Sequence, residues 1–151
     1  MFDQAIKVAD LFLDSGVITI IRGRKEKLNR AFEAVSSDKV PPLPIAVLIN
    51  RGTASAAEIL AAALTGRPNV AVIGETSFGK ASVQGVFLLR NGMALRLTTA
   101  HYYTPDNLDI EGKGIEPDQR FVSPVEEAEA PQAASRRTGE HEEDPLVRFA
   151  A

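Results

Sequence analysis

Apolar side chains recur every three or four residues at the start of the chain: Phe2, Ala5, Ile6, Ala9, Phe12 and Leu13. That spacing lines one face of a helix of about three turns. Asp14-Ser15-Gly16 closes it, with Gly16 free to take the left-handed stop. VITII (17–21) predicts a short β-branched strand. Residues 22–43 are polar without a clear period, and read as a connection. IAVLIN (45–50) is apolar on both faces, the pattern of a buried parallel strand. The Ala/Leu-rich run over 54–65 predicts a helix, stopped by Gly66-Arg67-Pro68-Asn69. VAVIG (70–74) predicts another buried strand. Strand, helix and strand within about 30 residues make a βαβ unit with a right-handed crossover.

ETSFGKAS is a Gly-punctuated loop. GVFLLR (85–90) and MALRLTTAHYY (93–103) flank Asn91-Gly92, a pair that favours a tight primed turn, so a hairpin is expected. TPDNLDIEGKGIEPD reads as loop and QRFVS as a short final strand. Beyond it, VEEAEAPQAASRRTGEHEEDP is acidic, Ala/Pro-rich and free of aromatic residues. The expected division is a core over 1–122 and a disordered tail over 123–151.

Composition narrows the chemistry. A chain of 151 residues suffices for one domain with a core, and 44% hydrophobic with 25% charged residues is ordinary for a soluble globular protein. No apolar run approaches the roughly 20 residues that span a bilayer. A net charge of -3 gives no overall nucleic-acid signature, so no nucleic-acid partner is expected. The basic cluster from Arg22 to Lys27 lacks interleaved aromatics and is followed by acids, which favours a solvated connection over a phosphate patch. The absence of cysteine excludes disulfides, thiolate chemistry and Cys-based zinc sites. The opening residues have no basic region or cleavage site of a signal peptide and begin inside a helix pattern, as in a piece of a longer protein.

The sharpest local feature is RGTASAAEILAAAL (51–64). It puts Ser55 at the mouth of a helix, straight after a strand, among residues too small to cover it. Backbone N–H groups at a helix start lack intrahelical partners, and the dipole there is positive. Such a position suits a nucleophile whose oxyanion needs donors. Ser55-Ala56-Ala57-Glu58 is equally a capping box, which does no more than start a helix. Thr53 is a second candidate cap, and the local pattern leaves both readings open. A nucleophilic serine also needs a base. His101 and His141 have no carboxylate at an informative spacing. Lys80, in SFGKASVQG, follows a buried strand and has few charges around it. Lysine acts as a base where burial lowers its pKa. Its loop falls at the carboxyl end of strand 70–74, beside the start of helix 54–65, where ligands of open α/β sheets collect. A solvated loop lysine is the plainer alternative.

Other chemistries fit less well. Gly74, Gly79 and Lys80 match the spacing of a P-loop, but Ala81 replaces the required Ser or Thr and the loop leads into a strand. Asp106, Asp109, Glu111, Glu116 and Asp118 lack the ligand spacing of a Ca²⁺ site. No metal or organic cofactor is expected.

Five separate stretches, in order, resemble one family: DQAIKVADLFLDSGVI, VLINRGTASAAEILAAAL, VAVIGETSFGKASVQ, ALRLTTAHYYTP and GKGIEPD, covering roughly residues 3–119. The chain resembles the C-terminal processing peptidases, or tail-specific proteases, which are serine peptidases with a Ser–Lys mechanism. The resemblance implies Ser55 as nucleophile and Lys80 as general base. It further implies Gln84 as the residue that orients the Lys amine and Glu58 as an acid supporting the dyad. The backbone N–H of Ala56 corresponds to one oxyanion donor. Protein or peptide substrates with exposed C-termini are implied as partners, with an extracytoplasmic location, periplasmic or membrane-associated. In the family a strand and Gly-rich turn that carry the second oxyanion donor, and usually a PDZ domain, precede the stretch matched here. HYYTPDN stands where many relatives read RYYTPSG, and Ala81 and Ala57 stand where Gly and Ser are frequent.

The expected fold is α/β: a crotonase-like, mainly parallel sheet with flanking helices and a β-hairpin. Two other functions fit the same architecture. One is a non-catalytic binding or scaffold domain. The other is an acyl-CoA-handling enzyme, for which Lys80 would be dispensable.

Overall fold

The computed structural model describes residues 2–35 and 39–121. The expected tail, 123–151, lies outside the described residues. The first amphipathic pattern forms α1 (Phe2–Phe12). Its apolar face turns Ala5 and Ala9 into the core, and Leu13 follows them there. β1 (Val17–Gly23) runs two residues beyond the predicted strand. A 3-10 turn (Glu26–Leu28) leads into β2 (Arg30–Glu33), which pairs antiparallel with β1. The segment expected to be a plain connection thus carries a strand. Its apolar signal is only Ala31-Phe32 between charged residues, and a long-range contact holds it: the Phe32 ring meets Phe2 edge-on at 5.0 Å.

The predicted βαβ unit is present as β3 (Ile45–Ile49), α2 (Ala56–Leu64) and β4 (Val70–Gly74), with β3 and β4 parallel. The predicted hairpin is β5 (Ser82–Leu88) and β6 (Ala94–Tyr103). The last strand, β7 (Gln119–Arg120), pairs parallel with β4.

The strands divide into two sheets, where one mainly parallel sheet was expected. One is four-stranded, in the order β2-β1-β6-β5, and antiparallel throughout. The other is three-stranded, β3-β4-β7, and parallel. Only the βαβ crossover and β7 supply parallel pairs; β1 pairs with β6 instead of extending the parallel sheet. The expectation that β3 is buried on both faces is also corrected. Ile49 is buried, whereas Ala46 and Leu48 are exposed, because the core lies on one side of this sheet.

α2 is the centre of the packing. Ile59, Ala61, Ala62, Ala63 and Leu64 are buried in one cluster with Ala9 of α1, Ile18 of β1, Val72 of β4 and Tyr102 of β6. The alanines let the two helices and both sheets approach closely. At the end of β4 the chain bends tightly against the end of β3. Gly74 has φ +128°, and a Cβ there would run into the Ile49 carbonyl. Glu75 N–H donates to that carbonyl at 3.0 Å. This turn directs residues 75–81 back across the mouth of α2.

Candidate active site

The turn between β3 and α2 is self-bonded. Asn50 N–H donates to Thr53 Oγ1 at 3.1 Å, and Gly52 N–H to Asn50 Oδ1 at 2.9 Å. Thr53 is therefore engaged backwards, and Ser55 is the N-cap residue of α2. Its backbone sits at φ 60° and ψ -117°, a left-handed conformation that favours glycine. The Ser55 hydroxyl stands over the Glu58 N–H as one half of a capping box. It lies 2.9 Å from the Tyr102 hydroxyl, 47 residues away in sequence. Ala56 is the first helical residue, so its N–H has no intrahelical acceptor.

Glu58 closes the other half of the capping box and does more. Its side chain is fully buried. Oε2 accepts from Ser55 N–H and from Lys80 N–H, each at 2.8 Å. Oε1 accepts from Ser77 Oγ at 2.5 Å and Gly79 N–H at 2.6 Å. All four partners are donors, the set an acceptor-only carboxylate requires. One oxygen thus joins the backbone of Ser55 directly to that of Lys80. Ser77 Oγ in turn accepts from Ile115 N–H at 2.7 Å, and Phe78 N–H donates to Thr53 O at 2.9 Å. The loop carrying Lys80 is pinned to the mouth of α2 from several sides.

The structure brings Ser55, Ala56, Glu58 and Lys80 together through the backbone. The Lys80 side chain is exposed. Gln84 stands on β5 opposite Thr98, and its Nε2 donates to Thr98 Oγ1 at 2.6 Å. His101 neighbours Tyr102 on β6 and so faces the opposite side of the sheet from the phenol. His141 lies outside the described residues. Among the described residues no group of three or more His, Asp or Glu side chains is placed to hold a metal ion.

A reading of the sequence for chemistry passes over Tyr102 and weighs Glu111 only as a metal ligand. Tyr102 is buried on β6, its ring 6.1 Å from that of Phe2, and its N–H donates to Ala81 O at 2.9 Å. Burial raises the pKa of its phenol above 10.0; the Ser55 hydrogen bond opposes this, while the charges of Glu58 and Glu111 add to it. Glu111 Oε2 accepts from Ala81 N–H at 2.7 Å. The alternation along β6 carries a signal for the tyrosine, since Ala100 and Tyr102 share the buried face.

Comparison with known proteins gives the family. Residues 1–121 match the model of peptidase family S41. The chain is 48% identical over 127 residues to a carboxy-terminal-processing protease of Bartonella bacilliformis, covering 84% of this chain and 29% of that protein. It is 40% identical over 124 residues to the carboxy-terminal processing protease CtpA of Bacillus subtilis, covering 82% and 26%. Among solved structures it resembles a photosystem II D1 C-terminal processing protease, with a TM-score of 0.72 and 34% identity over 80% of this chain and 31% of that one. The chain belongs to peptidase family S41. It spans less than a third of the length of these relatives.

Proposed function

We propose that this chain carries the Ser–Lys dyad of a serine endopeptidase that cleaves proteins at or near their C-termini. Lys80 Nζ takes the proton of Ser55 as Oγ attacks the scissile carbonyl. The oxyanion forms at the start of α2, where the Ala56 N–H and the positive end of the helix face it. Lys80 returns the proton to the leaving amine, and water then hydrolyses the acyl-enzyme. Glu58 holds the two motifs in register. The Gln84 amide nitrogen is held by Thr98, and its carbonyl oxygen is assigned to accept from the Lys80 amine.

The observation that carries this reading is the state of Ser55. It sits at a helix mouth in a strained backbone conformation, and its hydroxyl meets the Tyr102 phenol at 2.9 Å. A serine there only to start a helix has no need of either feature. The relatives named as carboxy-terminal-processing proteases support the substrate class. The same reading takes the core over 1–122 as part of a crotonase-like domain in an extracytoplasmic protein. A Gly-rich turn elsewhere in the full-length polypeptide supplies the second oxyanion donor, and a PDZ domain there receives substrate C-termini.

The test uses the native-length polypeptide and an unfolded protein substrate. Ser55→Ala and Lys80→Ala are each expected to lower cleavage by roughly 10³-fold or more, with unchanged circular dichroism. Normal cleavage by Ser55→Ala would sink the peptidase reading and leave Ser55 a residue of the helix start. A wild type that binds unfolded chains without cutting them would establish the scaffold alternative.

A further inference from the structure

We propose that Tyr102 is a further catalytic residue, whose phenol aims the Ser55 hydroxyl for attack and then donates to Oγ as its proton leaves. This rests on the reading of Ser55 as the nucleophile. The contact is direct, at 2.9 Å between the two hydroxyl oxygens. The phenol is also fixed in place by its frame. The residue is 5% exposed, its ring lies against Phe2, and its backbone N–H is bonded to the carbonyl of Ala81, the residue after Lys80. Tyr102 therefore ties the Ser and Lys motifs together on the side-chain side, as Glu58 does through the backbone.

A serine at an N-cap ordinarily turns its hydroxyl onto the backbone N–H groups of the first turn. Here the tyrosine competes with the first turn for that hydroxyl. In the resting enzyme Ser55 O–H donates to the Tyr102 oxygen or accepts from it. When Ser55 loses its proton to Lys80, the Oγ–C bond forms and the carbonyl π bond opens onto its oxygen. The phenol keeps its own proton throughout and turns its O–H onto Oγ while charge is high there. No proton leaves or enters the tyrosine, so it needs no second partner. A hydrogen bond of this kind, made to a group that gains charge, is worth more in the transition state than in the ground state.

The experiment compares wild type, Ser55→Ala and Tyr102→Phe in the native-length polypeptide. The phenylalanine keeps the ring against Phe2 and removes only the hydroxyl. Cleavage kinetics and the rate of Ser55 phosphonylation by a fluorophosphonate are both measured. Tyr102→Phe is expected to lower kcat by about 10- to 100-fold, to leave KM within about twofold, and to slow phosphonylation in proportion. An unchanged kcat, or a rise in KM alone, would overturn the assignment while leaving the dyad intact. Activity in Ser55→Ala would instead overturn the underlying reading. If Tyr102→Phe fails to fold, 3,5-difluorotyrosine at position 102 replaces it, since it preserves the ring and makes the hydroxyl a stronger donor. A change in kcat of more than about twofold at constant KM is then expected, and constancy of both would refute the role.

Discussion

At φ 60° and ψ -117° Ser55 occupies backbone space that glycine enters freely, whereas other residues are strained there by about 1–3 kcal/mol. Neighbouring contacts hold it in place: the Glu58 carboxylate on its N–H and the Tyr102 phenol on its hydroxyl. The strain can be separated from the hydroxyl by two substitutions that both remove the side-chain oxygen. Ser55→Gly should be more stable than Ser55→Ala by about 1 kcal/mol in urea unfolding, the relief of strain being partly offset by the entropy of glycine in the unfolded chain. Equal stabilities would show that the conformation costs nothing. Tyr102 offers a second readout at this scale. Its pKa is raised, chiefly by burial, so the folded protein holds the phenolic proton more tightly than the unfolded chain. The stabilisation it contributes is complete below pH 10 and is lost as pH rises through the folded value. In a Tyr103→Phe background, absorbance at 295 nm should report a midpoint above 10.0. Adding Ser55→Ala removes the hydrogen bond that lowers this pKa, and should move the midpoint further up. A fall would show that the phenol does not meet Ser55.

Elements whose evidence lies within a few residues are readable before folding. The 3.6-residue period of α1, the strand–helix–strand rhythm around α2 and the Asn-Gly turn of the β5–β6 hairpin all appear where the sequence puts them. The partition into two sheets is different in kind. Whether β1 lies beside β4 or beside β6 is settled by contacts between residues far apart in sequence, such as Ile20 with Tyr103, and no local period encodes it. β2 is hidden for a related reason, because its short apolar signal gains meaning only when Phe32 meets Phe2. Continuous apolarity in β3 was a poor guide to burial, since Leu48 and Ile49 read alike and fold to opposite degrees of exposure. The site divides along the same line. Ser55 and Glu58 share a helix start and Lys80 follows a strand end, so local pattern marks them as candidates and the family resemblance gives them roles. Tyr102 and Glu111 enter from β6 and the loop after it, and only the folded chain shows that they meet Ser55 and Ala81.

Taken over the whole molecule, the site lies on the seam between the two sheets. β3 delivers Ser55 from the parallel sheet, while Lys80 leads into β5 and Tyr102 sits on β6 of the antiparallel one. α2 spans that seam, and two adjacent residues on it do different work. Ile59 is 2% exposed and packs in the cluster that joins both sheets. Glu58 is fully buried and bonds the two motifs to each other. If the seam were merely a matter of packing, truncating either residue would harm stability and activity together. The geometry predicts otherwise. Ile59→Ala should cost about 2–5 kcal/mol of stability through the cavity it leaves, yet retain near wild-type kcat at temperatures where the native-length protein stays folded. In Glu58→Gln an amide group faces two donors where a carboxylate oxygen accepted them, so a loss of at least about 2 kcal/mol is expected. Here kcat should also fall by about tenfold or more in the folded population, because Ser55 and Lys80 lose their common acceptor. Thermal melts paired with kcat well below each midpoint make the comparison. Equal kcat in Glu58→Gln and Ile59→Ala would reduce Glu58 to one more buried group of the frame. A selective loss in Glu58→Gln would show that the buried carboxylate sets the register of the dyad across the two sheets.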